Sequence, residues 1–338
     1  MSKKPVALIT GFTGMVGSHL ADYLLDHTNW DIVGVCRWRS PLDNIQHLIP
    51  RIRKNDRLQV IYADLKDYVS LDEAVKKSRP DYVFHLAAQS YPKTSFDAPI
   101  DTLDTNIQGT ARLLEAIRRN QLDPVIHVCA SSEVFGRVPK EKLPIDEECG
   151  FHPASPYAIS KVGTDLIGRY YAEAYGMKVM TTRMFTHTGP RRGDVFAEST
   201  FAKQIAMIER EQIPPVVKVG NLDSLRTFAD VRDAVKAYFM LVTKNPTPGA
   251  YYNIGGTFSC TIGEMLNTLI GMSTYNGIKI ETDPERLRPI DADLQVPNTS
   301  KFQNHTGWKP EIPFQTTMKD LLDYWRERIK RGEVFLPR

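Results

Sequence analysis

The sequence predicts an α/β fold: a doubly wound parallel sheet with helices on both faces, and a smaller, intercalated C-terminal lobe. Three observations lead there. Short β-branched runs alternate with helical periodicity through the first half of the chain, the pattern of parallel strands joined by crossover helices. A glycine-rich turn, TGFTGMVG, follows the first of those runs and opens the first helix. The second half is more broken, with helices around a proline-containing connector, ERLRPIDADLQVP, and neither a repeat nor a low-complexity linker.

In order, the strand-like runs are VALIT (6–10), DIVGVC (31–36), LQVIYA (58–63), DYVFHLAA (81–88), PVIHVCA (124–130) and KVMTTRMF (178–185). Helical periodicity fills the gaps with SHLADYLLDH, SLDEAVKKS, TNIQGTARLLEAIRRN and SKVGTDLIGRYYAEAYG. Beyond residue 195, FAESTFAKQIAMIERE reads as a helix, PVVKVG as a short strand and FADVRDAVKAYFMLVTK as another helix. GAYYNIGG reads as a strand returning to the main sheet, and TIGEMLNTLI and PFQTTMKDLLDYWRERIKRG as closing helices.

Composition narrows the function. The chain has 338 residues, 42% hydrophobic and 25% charged, so it can bury a large core. A net charge of +3 without blocks of like charge argues against nucleic acid or an anionic membrane as partner. No apolar run approaches a membrane span, and MSKKPVALITG enters a strand without a signal-peptide pattern. Cys36, Cys129, Cys149 and Cys260 are scattered, without metal-ligand spacing. The expectation is a reduced, cytoplasmic protein with no structural metal. His85 and His127, inside strand-like runs, are expected to be core histidines, and Trp308 a packing anchor.

Gly11, Gly14 and Gly17 sit between strand and helix, where glycine lets a backbone turn approach a pyrophosphate at a helix N-terminus. A dinucleotide site is the reading that context favours. The second strand ends in GVCRWRS, with Arg37 and Arg39 and no acid. NAD sites usually place a carboxylate there for the ribose hydroxyl, whereas arginine accommodates a 2′-phosphate. NADP is therefore the expected cofactor, although two solvated arginines would read the same way. Asp64 falls where a third strand would meet the adenine, and reads equally well as a helix cap.

Tyr157 and Lys161 stand four residues apart in SPYAISK, on one face of a helix. A nearby ammonium favours the phenolate, so the tyrosine can accept a proton while a nicotinamide takes hydride from the same carbon. Upstream, HVCASSEVFG delivers Ser131, Ser132 and Glu133 at the end of a strand. In a doubly wound sheet that edge is the ligand crevice.

With HLAAQS (85–90), SSEVFG (131–136), SPYAISK (155–161) and THTGPRRGD (186–194), the chain resembles an extended short-chain dehydrogenase/reductase of the GDP-mannose 4,6-dehydratase family. GNLDSLRTFADVRDAVKA (220–237), RPIDADL (288–294) and TGWKP (306–310) extend the likeness over nearly the whole chain. The resemblance implies a Rossmann-type NADP-binding part over residues 1–185, joined by segments near 226–258. It implies a substrate lobe from 186–225 and 259–338. It assigns catalysis to Ser131, Glu133, Tyr157 and Lys161. Cofactor contacts fall to Gly11, Thr13, Gly14, Met15, Val16, Gly17, Arg37, Arg39, Ser40, Asp64 and Leu65. Leu86, Ala87, Ala88, Gln89, Ser90, Tyr157, Lys161, His187 and Arg192 complete that set. Ser90, Ser132, Thr186, Arg226 and Arg288 would face the GDP-sugar. The implied product is a 4-keto-6-deoxy sugar nucleotide, with Tyr157 taking the 4-hydroxyl proton, Glu133 the C5 proton, and no net redox change. A homodimer through a four-helix interface, or a homotetramer, is also implied.

The departures from the family pattern concern the substrate side. After PRRG, FAEST (196–200) replaces a basic segment, putting Glu198 and Thr200 where basic residues are expected. Asp101 stands where the family has a cofactor-contacting tyrosine, and Thr186 replaces an asparagine. These changes resemble the side branch acting on GDP-D-glycero-D-manno-heptose, which stands beside GDP-mannose as candidate substrate. A GDP-sugar C4 reductase, epimerase or dehydrogenase on the same scaffold is the alternative, and a non-catalytic nucleotide-binding regulator a further one. Glu133 separates the first of these from a dehydratase.

Overall fold

The computed structural model describes residues 3–287 and 292–333. In chain order its strands and helices begin with β1 (Val6–Thr10), α1 (Met15–His27), β2 (Asp31–Cys36), α2 (Ile49–Lys54), β3 (Leu58–Tyr62), α3 (Tyr68–Ser78) and β4 (Tyr82–His85). There follow α4 (Pro92–Asp97), α5 (Pro99–Leu103), α6 (Gly109–Arg119), β5 (Val125–Cys129), α7 (Pro156–Tyr175), β6 (Val179–Met184), β7 (His187–Thr188) and α8 (Ala197–Ile208). The chain continues with β8 (Val216–Val219), β9 (Leu225–Asp230), α9 (Val231–Thr243), β10 (Tyr251–Ile254), β11 (Phe258–Thr261) and α10 (Ile262–Gly271). It closes with β12 (Lys279–Thr282), β13 (Leu294–Gln295), α11 (Ser300–Thr306) and α12 (Phe314–Lys330).

Among the described residues seven strands form one sheet, in the order β10-β6-β5-β4-β1-β2-β3, and every pairing is parallel. The apolar runs explain it. Side chains alternate across a strand, and in β1 Ala7 and Ile9 face one core while Leu8 faces the other. A strand covered on both faces must be apolar throughout. On one face α1 and α9 pack through Leu20, Leu24, Tyr238 and Leu241. On the other lie α3 and α6, through Leu71, Val75, Leu113 and Ile117.

The chain reverses direction in the sheet between β1 and β4, which opens a crevice at their carboxyl ends. Beyond that crevice, α8, α10 and α12 enclose a separate core of Phe201, Ile205, Leu269, Met318 and Trp325. Two small sheets flank it: β11-β9-β13 with β7 on β9, and β12 on β8.

Two element boundaries differ from expectation. Residues 228–244 are not one helix: β9 runs through Asp230, pairing with β11 and β13. The Asp230 carboxylate then accepts from the Arg232 amide and caps α9. The strand read through Ala88 ends at His85, because the next amides turn to a side chain: those of Leu86 and Ala87 donate to Thr10 Oγ1 at 3.1 and 3.2 Å. Trp308 is a buried anchor, its indole N–H donating to Asp233 O at 3.1 Å.

Candidate active site

The glycine turn is dictated by crowding. Gly11 has φ +71°, and a Cβ there would lie 2.8 Å from the Ala87 nitrogen; one at Gly17 would lie 2.3 Å from the Gly11 oxygen. Strand ends and helix start therefore approach more closely than any side chain allows, and Gly14 caps α1 with no side chain over its first turn. Thr10 locks the arrangement. It donates to His85 Nδ1 at 2.8 Å while accepting the two loop amides. On its far side His85 Nε2 lies 3.1 Å from Thr110 Oγ1, whose own proton goes to Asn106 O. Burial holds the His85 pKa down to about 3, so the ring is neutral.

A cleft of about 840 Å³ runs along the strand ends from this turn, lined by Thr13, Arg37, Ser40, Asp64, Leu65, Ala87 and Gln89. Arg39, expected there, does not line it. Its guanidinium stacks 4.5 Å from the exposed Trp38 ring. Asp64 faces the cleft and is not the cap of α3; that role belongs to Asp67, which accepts from the Val69 and Ser70 amides. Asp101 and Lys66 form an ion pair at the same cleft.

Gly11, Gly14, Leu86, Ala88, Ser90 and Arg192 also line a second compartment of about 580 Å³, so the two spaces share a wall. Met15, Val16 and Gly17 line this one, as do Ser131, Ser132, Glu133, Tyr157, Lys161, Thr186, His187 and Arg226. Arg288 lies outside the described residues. Apart from Arg39, the remaining site residues predicted from sequence, drawn from eight stretches of chain, therefore converge on these two adjoining spaces.

Within it, Ser155 caps α7 by accepting from the Ala158 amide, which places Tyr157 and Lys161 in the first turns, facing inward. Both are buried. Lys161 Nζ donates to Cys129 O at 2.8 Å and lies 6.0 Å from the Tyr157 ring centroid. Burial lowers the Lys161 pKa and raises that of Tyr157. A hydrogen bond from Ser131 and the Arg192 charge pull Tyr157 partly back. Ser131 Oγ also accepts the Glu133 amide at 3.2 Å, closing the turn that presents Glu133. The Glu133 carboxylate lies 3.5 Å from Arg226, and its charge is near enough to raise the Tyr157 pKa. Burial, reinforced by Arg192, holds His187 at about 4; its Nδ1–H donates to Phe185 O at 3.1 Å.

Other residues at the site were not singled out from sequence. Asn106 exchanges hydrogen bonds with the Gln89 backbone at 2.8 and 3.0 Å and donates to Ser160 Oγ at 2.8 Å, tying the 86–90 loop to α7. Its signal is a polar residue one turn before Thr110 on the buried face of a helical run. Asn44 donates to Thr13 O at 3.1 Å across the glycine turn. In the FAEST segment Glu198 is buried and pairs with Arg192 at 3.0 Å, while the Thr200 hydroxyl is spent on Asp194 O at 2.7 Å.

Residues 8–321 match the family described as GDP-mannose 4,6 dehydratase. The GDP-mannose 4,6 dehydratase of Drosophila melanogaster is 30% identical, over 98% of this chain and 89% of that protein. The GDP-6-deoxy-D-mannose reductase of Pseudomonas aeruginosa is likewise 30% identical, over 95% of this chain and 97% of its own. Among solved structures, RMD from Pseudomonas aeruginosa complexed with NADPH superposes with a TM-score of 0.81 at 28% identity, covering 96% of this chain and 100% of that one. A Thermotoga maritima UDP-glucose 4-epimerase shares the fold, with a TM-score of 0.84 at 23% identity over 96% of this chain and 99% of that one. With the glycine turn, the Ser131-Tyr157-Lys161 set and Glu133 gathered at one sheet edge, the chain belongs to the GDP-mannose 4,6-dehydratase family.

Proposed function

We propose that this protein is a lyase, an NADP-dependent sugar-nucleotide 4,6-dehydratase that converts GDP-mannose or GDP-D-glycero-D-manno-heptose to its 4-keto-6-deoxy product. One observation carries the reading: Glu133 shares a compartment with Tyr157, Lys161 and Ser131, and is held opposite Arg226. A C4 reductase, epimerase or dehydrogenase needs the tyrosine and lysine but gives that carboxylate no task.

The residues present fit NADP. Gly11 and Gly17 have no room for side chains, and Gly11 and Gly14 line both spaces at the start of α1, where a pyrophosphate would lie. Arg37 and Ser40 face the cleft with no acid between residues 37 and 42. NADP, when bound, supplies reversible hydride acceptance, from sugar C4 and back to C6. Tyr157 takes the 4-hydroxyl proton, helped by the Lys161 ammonium and the Ser131 hydroxyl. A ketone at C4 acidifies the C5 hydrogen, which Glu133 removes as its carboxylate. The same carboxyl then protonates the departing C6 hydroxyl, water leaves, and the return of hydride to C6 is matched by a proton returned to C5. His187, neutral, adds no positive charge; Arg192 on the cofactor side and Arg226 on the substrate side are among the groups that supply it.

Residues 1–185 with 226–258 form the NADP-binding part and the remainder the substrate lobe; the separate core under α8, α10 and α12 supports that division. A second copy of the chain covers α7, where Ile159, Leu166 and Tyr170 stand exposed at spacings that share one helix face; a tetramer would add a further contact. All four cysteines are free, and among the described residues no helix is long and apolar enough to cross a membrane, which supports a cytoplasmic location. The test is mass spectrometry after incubation with each GDP-sugar and no added cofactor. Loss of one water from a GDP-sugar supports the reading. A product that appears only with stoichiometric NADPH or NADP⁺ contradicts it.

A further inference from the structure

Glu198 is one of four carboxylates lining the substrate compartment, with Glu133, Asp283 and Glu285, and its surroundings are unusual for a structural acid. It lies in the first turn of α8, 4% exposed, and lines the compartment that holds Tyr157 and Glu133. Oε1 accepts from Arg192 Nε at 3.0 Å; among the described residues Oε2 has no hydrogen-bond donor. Oε2 is not fully enclosed; an acceptor open at the wall of the compartment is placed to take a donor that arrives with the ligand.

The pair is held rigid. The Arg192 guanidinium lies 3.4 Å from the Phe196 ring centroid, and Tyr91 meets that ring edge-on at 5.8 Å. Of the four carboxylates, Glu133 is paired with Arg226, Glu198 with Arg192 and Asp283 with Arg286, and Glu285 is the fourth. A carboxylate oxygen left open repels the diphosphate and accepts only from donors. A GDP-sugar also brings guanine N–H and ribose hydroxyl donors; the sugar hydroxyls are favoured here because Arg192, which holds Glu198, lies near enough to Tyr157 for its charge to act on the phenol.

Resting on the dehydratase reading, we infer that Glu198 determines specificity by accepting a hydrogen bond from a hydroxyl of the substrate's sugar through Oε2. Such charge-assisted bonds are roughly twice as strong as neutral ones.

Calorimetry on the wild type, Glu198→Gln and Glu198→Ala tests it, using GDP, NADP and whichever of GDP-mannose or GDP-D-glycero-D-manno-heptose the wild type dehydrates. Glu198→Ala should weaken the GDP-sugar by about 10- to 100-fold, with GDP and NADP affinities unchanged. Glu198→Gln, which keeps an acceptor, should lose less, and it carries the test if the alanine variant does not fold. Equal weakening of GDP and GDP-sugar, or loss of NADP affinity alone, would show Glu198 serving only to hold Arg192 and overturns the inference. A wild type that dehydrates neither sugar overturns the functional reading itself, and this inference with it.

Discussion

Burial sets the protonation of the reacting side chains before any ligand arrives. Tyr157 is a neutral phenol in the free site, because burial raises its pKa, and Lys161 is pushed down by the same burial. Proton removal from the sugar must therefore quicken as pH rises toward the tyrosine's pKa. Tyr157→Phe should lower kcat by about 10²–10⁴-fold, flatten that pH profile and leave NADP affinity within a few-fold. Steady-state rates across pH and a cofactor titration check this together; a variant retaining full turnover would remove Tyr157 from the chemistry. The tyrosine and lysine were legible in the sequence because one helix turn separates them. Their controllers were not: Arg192 meets Glu198, and Arg226 meets Glu133, only once β9 and α8 are folded against the sheet.

Helix α7 does two jobs with two faces. Inward, Asp165 receives Arg183 of β6 at 2.7 Å, with both side chains inaccessible. The guanidinium lies 4.7 and 4.5 Å from the Phe151 and Tyr251 rings. A buried pair of this kind fixes registration rather than adding much stability, here that of the helix bearing Tyr157. Outward, Leu166 stands exposed with Ile159 and Tyr170 on the face proposed to meet a second copy. Leu166→Glu should shift the protein from dimer to monomer in light scattering with unchanged circular dichroism, whereas a wild type that is already monomeric contradicts the interface. Elements with strong periodicity, such as α7 and the strands before it, were legible, although β4 stops three residues short of its apolar run and α7 begins at Pro156, ahead of the run read from Ser160. The segment 225–244 was not, because LRTFAD, a six-residue strand of mixed polarity, runs directly into a helix with no turn residue between them. Asp230, the cap that separates them, is the signal in hindsight.

For the molecule as a whole, the crossover between β1 and β4 opens the site, and the histidines behind it set its acid limit. Burial holds both His85 and His127 at about 3, against 6.5 when unfolded. Below about pH 6.5 the unfolded chain binds protons that the folded one refuses, so stability present above that value is lost as pH falls. The slope is about 1.4 kcal/mol per pH unit for each histidine. Denaturant midpoints should fall steadily from about pH 6.5 to about pH 4, with about four protons taken up on unfolding near pH 5, because burial also holds His19 and His187 at about 4; a flat profile would mean that the histidines are charged in the fold. The central claim concerns Glu133, and a single-turnover experiment on Glu133→Gln tests it most directly. Mixed with the GDP-sugar, the NADP-loaded variant should oxidise C4 and stall, with reduced-cofactor absorbance rising and persisting and no loss of water by mass spectrometry. Full dehydration by Glu133→Gln, at the wild-type rate and without accumulated reduced cofactor, would contradict the account.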